Sequence, residues 1–198
     1  MLPKHKTNKD NLAKINLEIK SCQKCSLGSL ATNYVPGEGN PDANLLFIGE
    51  APGKNEDLSG KPFCGKAGRV LDELLKLSGH KRKDIYIANI LKCRPPKNRN
   101  PKLEEIRLCT PYLIRQLKVI QPKIICCLGN FSSTFIMNKF NLSAKVQSIG
   151  KIHGKIFIPP NLNSLKIVPL YHPASATYNP NMINILRKDF RMLKNIPV

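Results

Sequence analysis

Four of the seven cysteines fall into two pairs with ligand-like spacing: Cys22 and Cys25 as C-x2-C, and Cys93 and Cys109 as C-x15-C. Four thiolates brought together from two pairs can close around a [4Fe–4S] cluster or a zinc ion, and spacing alone does not choose between them. The alternative is four reduced thiols packed separately. Cys126 and Cys127 lie in the apolar run KIICCLG and read as core residues, and Cys64 reads as a small space-filler. The other groups suited to chemistry are the carboxylate of Glu50 in GEAPG (residues 49–53), the amide of Asn89 and the imidazole of His172 in YHPA (residues 171–174). An amide presents a carbonyl and an NH2 together, and a histidine donates a hydrogen bond whether neutral or charged. His5, His80 and His153 lack comparable context and read as structural or exposed.

These groups need elements to position them. A first helix is expected over residues 9–21, followed by a loop to about residue 43. NLLFIG (44–49) is a short apolar run that stops at glycine and reads as a buried strand. Residues 50–66, rich in Gly, Pro and charge, are expected to be a loop. Val70, Leu71, Leu74, Leu75 and Leu77 carry helical spacing through residues 67–78. DIYIANI (84–90) is a second strand. Prolines at 95, 96 and 101 make residues 93–101 a loop. A helix over 102–120, a strand over 123–129 and a helix near 130–140 follow. IHGKIFI (152–158) and LKIVPLY (165–171) are strand candidates, and the tail from about 181 to 194 is helical. Strands alternating with helices imply an α/β sandwich with a mainly parallel sheet. Ligands bind such sheets beyond the strand C-termini. GEAPG, Asn89 and His172 all follow strands at that end, so one shared site is expected on topology alone.

The 198-residue chain is long enough for one domain with a real core. Lys and Arg number 32 against 13 Asp and Glu, a formal net charge of +19. A domain this basic is expected to meet a polyanion. The chain is also rich in Lys, Asn and Ile, as a compositional bias would produce, so charge is support only. No apolar run approaches a membrane span, and the N-terminal stretch is polar without a signal-peptide core. A soluble, cytoplasmic protein without a membrane partner is expected, and nothing in the sequence calls for an oligomer, so a monomer is expected too.

Three stretches, PGEGNPDANLLFIGEAPGKNEDLSGKPFCGKAG (36–68), IANILKCRPPKNRNP (87–101) and YHPA (171–174), together resemble the family 4 uracil-DNA glycosylases, the thermostable iron–sulfur branch of that superfamily. The likeness runs from about Cys22 to Lys188. It implies a single domain over residues 1–198, with 1–8 flexible, built as a three-layer α/β/α sandwich around a four-stranded, mainly parallel sheet. It implies a [4Fe–4S] cluster on Cys22, Cys25, Cys93 and Cys109. It also implies an activity: flipping uracil out of single- or double-stranded DNA and hydrolysing its glycosidic bond, with no lyase step.

By the same resemblance, Phe63 stacks on the flipped base and Asn89 reads the uracil edge, whose N3–H and O4 match an amide. His172 donates to O2 as negative charge grows there. Glu50, Ala51 and Gly53 shape the pocket near the sugar, with Glu50 helping by electrostatics or by holding water. Related branches carry an Asp where this chain has Ala51 and an aromatic where it has Gly53. A dissociative route is therefore inferred, and Glu56 or Asp57 is the candidate for excluding the thymine methyl. HPASAT offers only small residues where the family tends to carry a wedge, so Tyr178 is the candidate wedge. Arg94, Lys97 and Arg99, with Asn98, are expected to grip phosphates. The rival readings are a non-catalytic iron–sulfur or zinc nucleic-acid-binding module, the same fold acting on hypoxanthine or mismatched thymine, and an RNA- or nucleotide-processing enzyme.

Overall fold

The computed structural model describes residues 11–196; the expected flexibility of residues 1–8, the first two residues of the 9–21 helix and His5 lie outside them. The sheet is built on β2 (Leu45–Gly49), whose five residues are all buried. Parallel neighbours flank it: β3 (Tyr86–Asn89) on one side, β4 (Ile124–Leu128) on the other, and β5 (Lys166–Leu170) beyond β4. A two-residue strand, β1 (Glu38–Gly39), adds antiparallel to the free edge of β3, giving the order β1-β3-β2-β4-β5. The expected four parallel strands are therefore present with one short antiparallel edge added. Gly39, at φ 135°, presses so close to β3 that a Cβ would sit 2.0 Å from the Ile85 carbonyl oxygen.

Alternation across β2 divides the core in two. Phe47 faces one layer, packing with Leu71 and Leu74 of α4 (Lys66–Leu77) and Phe190 of α9 (Met182–Leu193). Leu46 and Ile48 face the other layer. There they meet Leu113 and Leu117 of α5 (Leu103–Ile120) and Ile136 of α6 (Asn130–Lys139). Cys126 and Cys127 split the same way and are fully buried. The first helix, α1 (Leu12–Lys20), buries Ile15 and Ile19 against Tyr112 of α5. Glu18 and Arg115 pair bidentately across the two helices.

Three expectations are corrected. The stretch before residue 43 is not all loop, because it holds α2 (Ser26–Leu30) and β1. Residues 50–66 hold α3 (Lys54–Ser59), which the sequence hides because KNEDLS has no apolar period. IHGKIFI is not a strand. A short helical turn, α7 (Ile149–Ile152), runs into it, Gly154 turns at φ 69°, and only Phe157 bridges to Ile167 of β5. The tail carries a further short turn, α8 (Ser175–Tyr178), before α9. Among the described residues no helix is long and apolar enough to cross a membrane.

Candidate active site

The chain leaves β2 for β3 on one side and then crosses to β4 on the other, so the sheet has a switch point beside β2. There the strand ends open into a cleft of about 370 Å³. Glu50, Ala51, Gly53, Phe63, Asn89 and His172, the residues singled out in the sequence, all line it. Glu56, Asn98, Arg99 and Tyr178 complete its wall and mouth.

Gly49 ends β2 opposite Asn89 of β3. A Cβ at position 49 would fall 2.3 Å from Asn89 Oδ1 and 2.9 Å from the Phe63 ring, so only glycine lets these two side chains meet over the strand end. Asn89 is 2 % exposed, and its Oδ1 is buried without a hydrogen-bond partner. A buried acceptor left open in this way costs stability unless a ligand satisfies it. Phe63 presents its ring from a left-handed backbone, φ 50°. The ring stacks on that of His172 at 5.4 Å between centroids.

His172 follows β5. Its Nδ1 accepts from the Ala174 N–H at 3.1 Å, so the proton of the neutral ring sits on Nε2. Burial in the cleft wall lowers its pKa to about 4, against an opposing pull from Glu56. The ring is neutral at pH 7 and donates through Nε2. Burial also raises the pKa of Glu50.

Glu56 in α3 accepts from the N–H of Gly53 through Oε2 and from those of Cys64 and Gly65 through Oε1, each at 3.1 Å. It thus ties the GEAPG turn to the Phe63 loop. A Cβ on Gly53 would come within 2.7 Å of Glu56 Oε2, so the carboxylate fills the space a side chain at 53 would take. Asp57 turns away from the cleft, accepting from Thr32 N–H at 3.0 Å. Cys64 is exposed, with its Sγ 3.1 Å from Ser59 Oγ, and fills no core space.

Apart from the cleft, Cys22, Cys25, Cys93 and Cys109 line one small cavity together with Ile19, Leu27, Leu91 and Tyr112. Cys25 caps α2, and the N–H of Lys92 donates to Cys109 Sγ at 3.3 Å. Burial and neighbouring thiols push the Cys93 pKa far up, and burial raises that of Cys109 to about 11. Among the described residues, no three potential ligands converge closely enough to hold a single metal ion.

A family model described as the uracil DNA glycosylase superfamily matches residues 36–195. The chain is 49% identical over 188 residues to the type-4 uracil-DNA glycosylase of Saccharolobus solfataricus, covering 93% of this chain and 86% of that one. It is 45% identical over 185 residues to the one of Archaeoglobus fulgidus, covering 93% and 92%. It is 40% identical over 174 residues to the one of Thermotoga maritima, covering 87% and 86%. The chain belongs to the type-4 branch of the uracil-DNA glycosylase superfamily.

In this type-4 glycosylase the basic loop is less free than its sequence suggests. Arg99 forks onto Glu105, with Nη1 2.9 Å from Oε2, and also donates to the Asn100 carbonyl. Glu105 is buried and caps α5 by accepting from the Lys102 N–H at 2.8 Å. Arg94 donates to Asn98 Oδ1 at 2.7 Å, and Lys97 is exposed. Lys97 and Asn98 adopt left-handed φ values of 54° and 55°, which turn the loop so that Asn98 lines the cleft.

Sequence reasoning missed Lys92. It is fully buried, and its Nζ donates to the carbonyls of Pro36 and Asn89 and to Gln116 Oε1. It joins the last residue of β3 to the loop that carries Cys93. Nothing in the local sequence marks Lys92 for burial, and only the convergence of Pro36 and Gln116 on it reveals it.

Proposed function

We propose that this chain removes uracil from DNA, working as a single-domain, intracellular monomer that hydrolyses the bond between uracil N1 and the sugar. The observation that carries the reading is the open Asn89 acceptor, buried in the wall of the cleft that the Phe63 ring and the neutral His172 imidazole also line. A base inside a duplex cannot be reached without flipping, and the cleft must offset a few kcal/mol of lost stacking and pairing. Phe63, where it lines the cleft, gives sequence-tolerant stacking. Asn89 Oδ1 accepts from uracil N3–H, and its NH2 faces O4. Cytosine reverses both groups and is disfavoured.

Bond cleavage leaves the electron pair on the uracil ring, with charge growing on O2. His172 Nε2–H donates there from a ring that is neutral before reaction begins, so no proton needs to move first. Ala51 carries no carboxylate to orient water, which favours departure of the uracil anion ahead of water attack. Glu50, half-buried beside the sugar, stabilises the sugar cation and takes up the attacking water's proton on its carboxylate or passes it to solvent. A lyase step needs a free amine. Among the described residues no lysine lines the cleft, and buried Lys92, whose Nζ donates to the Asn89 carbonyl, is committed to three acceptors, which supports hydrolysis without strand cleavage. Glu56 stands where a bulky side chain at 53 would exclude the thymine methyl, and supplies that exclusion here.

Cys22, Cys25, Cys93 and Cys109 hold a [4Fe–4S] cluster. A zinc ion requires all four sulfurs about 2.3 Å from one point, whereas a cubane spreads them over four irons, and the spread donor set around one cavity supports the latter. When bound, the cluster would supply the positive charge that gathers four thiolates, tying the α1–α2 segment to the Cys93 loop. Arg94 and Lys97 grip phosphates, while Arg99 holds the loop through Glu105. Tyr178, 87% exposed at the mouth, wedges into the gap left by the flipped base.

The test is base release from end-labelled oligonucleotides containing one U, T or hypoxanthine, with alkali to cut abasic sites. Cleavage at U alone is expected. Equal release of hypoxanthine or thymine would transfer the reading to another lesion, and DNA binding by a brown, folded protein without any release would make it a binding module.

A further inference from the structure

The stacking ring is presented from a strained backbone. A bulky residue at φ 50° persists only where its neighbours over-determine it, and such outliers gather where strain serves a site. Three neighbours hold Phe63. Gly68, in the first turn of α4, lies so close that a Cβ there would come within 1.8 Å of the Phe63 carbonyl oxygen. Glu56 captures the two N–H groups that follow, those of Cys64 and Gly65. The third is Arg82, from the short turn Arg82–Asp84 between α4 and β3. Its Nη2 donates to the Pro62 carbonyl and, at 3.1 Å, to that of Phe63. Its Nη1 donates to Asp72 Oδ1, in mid-α4, at 2.7 Å.

Arg82 does not line the cleft, so it acts on the base only through the backbone it grips. We propose that Arg82, oriented by Asp72, is a positioning residue for uracil excision: it fixes the Pro62–Phe63 peptides so that the Phe63 ring is set before a base arrives. The inference rests on Phe63 being the stacking platform. A planar guanidinium suits the task because its fork reaches two carbonyls and a carboxylate at once, which an ammonium does less well. Presetting the ring removes an ordering step that binding would otherwise have to drive. The competing role for a partly exposed arginine on so basic a protein is a phosphate contact.

The experiment compares wild type, Arg82→Gln, Phe63→Ala, the double variant and Asp72→Asn. It reads single-turnover excision, inhibition by free uracil, thermal midpoint, and the salt dependence of binding to undamaged DNA. Loss of a charge-assisted hydrogen-bond set predicts about a tenfold fall in excision for Arg82→Gln, with uracil inhibition weakened by a similar factor. Asp72→Asn falls in the same direction by less. In the Phe63→Ala background Arg82→Gln costs nothing further, since the ring it sets is gone. General destabilisation would instead cost the same in both backgrounds. The proposal is overturned by equal losses with and without Phe63, by wild-type excision in folded Arg82→Gln, or by a salt slope reduced by about one counterion. If Arg82→Gln does not fold, Asp72→Asn carries the same comparison, and equal losses in both backgrounds overturn the proposal. If Phe63→Ala excises uracil at the wild-type rate, the stacking platform itself is misassigned and the Arg82 proposal falls with it.

Discussion

The Ala174 N–H donates to His172 Nδ1 across a tight turn, and this one bond decides which nitrogen of the ring faces the cleft as a donor. With burial lowering the pKa to about 4, the neutral Nε2–H form is present throughout the physiological range. Excision by wild type is therefore expected to show no inflection from this residue between pH 5.5 and 8. Nitrogen shifts of labelled His172 should report the Nε2–H tautomer down to about pH 5. Between pH 6.5 and about 4 the unfolded chain binds a proton that the folded ring refuses, so this residue makes stability fall as pH falls through that window. His172→Ala should lower single-turnover excision by about 10²–10³-fold. A His172 that titrates near 6.5 in the folded protein would contradict the burial that keeps the ring neutral.

Asn89 predicts a separation of activity from stability. Its Oδ1 has no partner in the protein, so truncating it orphans no group that depended on that oxygen. Asn89→Ala should cut uracil excision by about 10²-fold or more, while the thermal midpoint holds or rises. Calorimetry on the same preparation used for kinetics checks this. A large drop in midpoint would mean the amide is a structural bond rather than an open reader.

Much of this arrangement is legible in the sequence, and what is not has physical causes. β2, β3 and β4 are short, fully buried runs and β5 is buried after Lys166; Gly49 and Asn89 end two of them, and His172 follows β5 by two residues, which is why the site could be placed at their C-terminal ends. α3 escapes because six residues with one apolar side chain carry no period, and its Glu56 works through backbone N–H groups that no spacing rule reveals. The 152–158 run misleads because its apolar residues suit a strand while Gly154 turns the chain out of one. Arg99 reads as a free cation, since a partner six residues on, beyond a proline, becomes visible only when α5 folds.

Glu56 should couple specificity to loop order. Glu56→Ala leaves the N–H groups of Gly53, Cys64 and Gly65 without their acceptor and opens the space above Gly53. Uracil excision should fall about tenfold, and thymine release from a G·T mismatch should rise relative to uracil. Competition assays with the two substrates in one tube measure the ratio directly. An unchanged ratio would move thymine exclusion to another residue.

Arg94 and Arg99, five residues apart, should behave differently. Arg99→Ala strips the partner from buried Glu105, whose pKa the Arg99 hydrogen bond lowers. Folded-state lowering of a carboxylate stabilises above its unfolded pKa and is lost as pH falls. The variant should therefore lose thermal stability at pH 7 and lose less at pH 3. Its salt slope for DNA binding should stay close to wild type, whereas Arg94→Ala should flatten that slope by about one counterion. Identical slopes for both variants would contradict the division of labour.

The central claim is that the cleft releases one base, intact, by hydrolysis. The most direct measurement is the product of a single turnover on a DNA strand carrying one deoxyuridine, followed by mass spectrometry of both the small molecule and the strand. Free uracil with a full-length strand bearing one abasic site, cut only after alkali, is the result this account predicts. Uracil still attached to the strand, or a strand already broken before alkali, would contradict it.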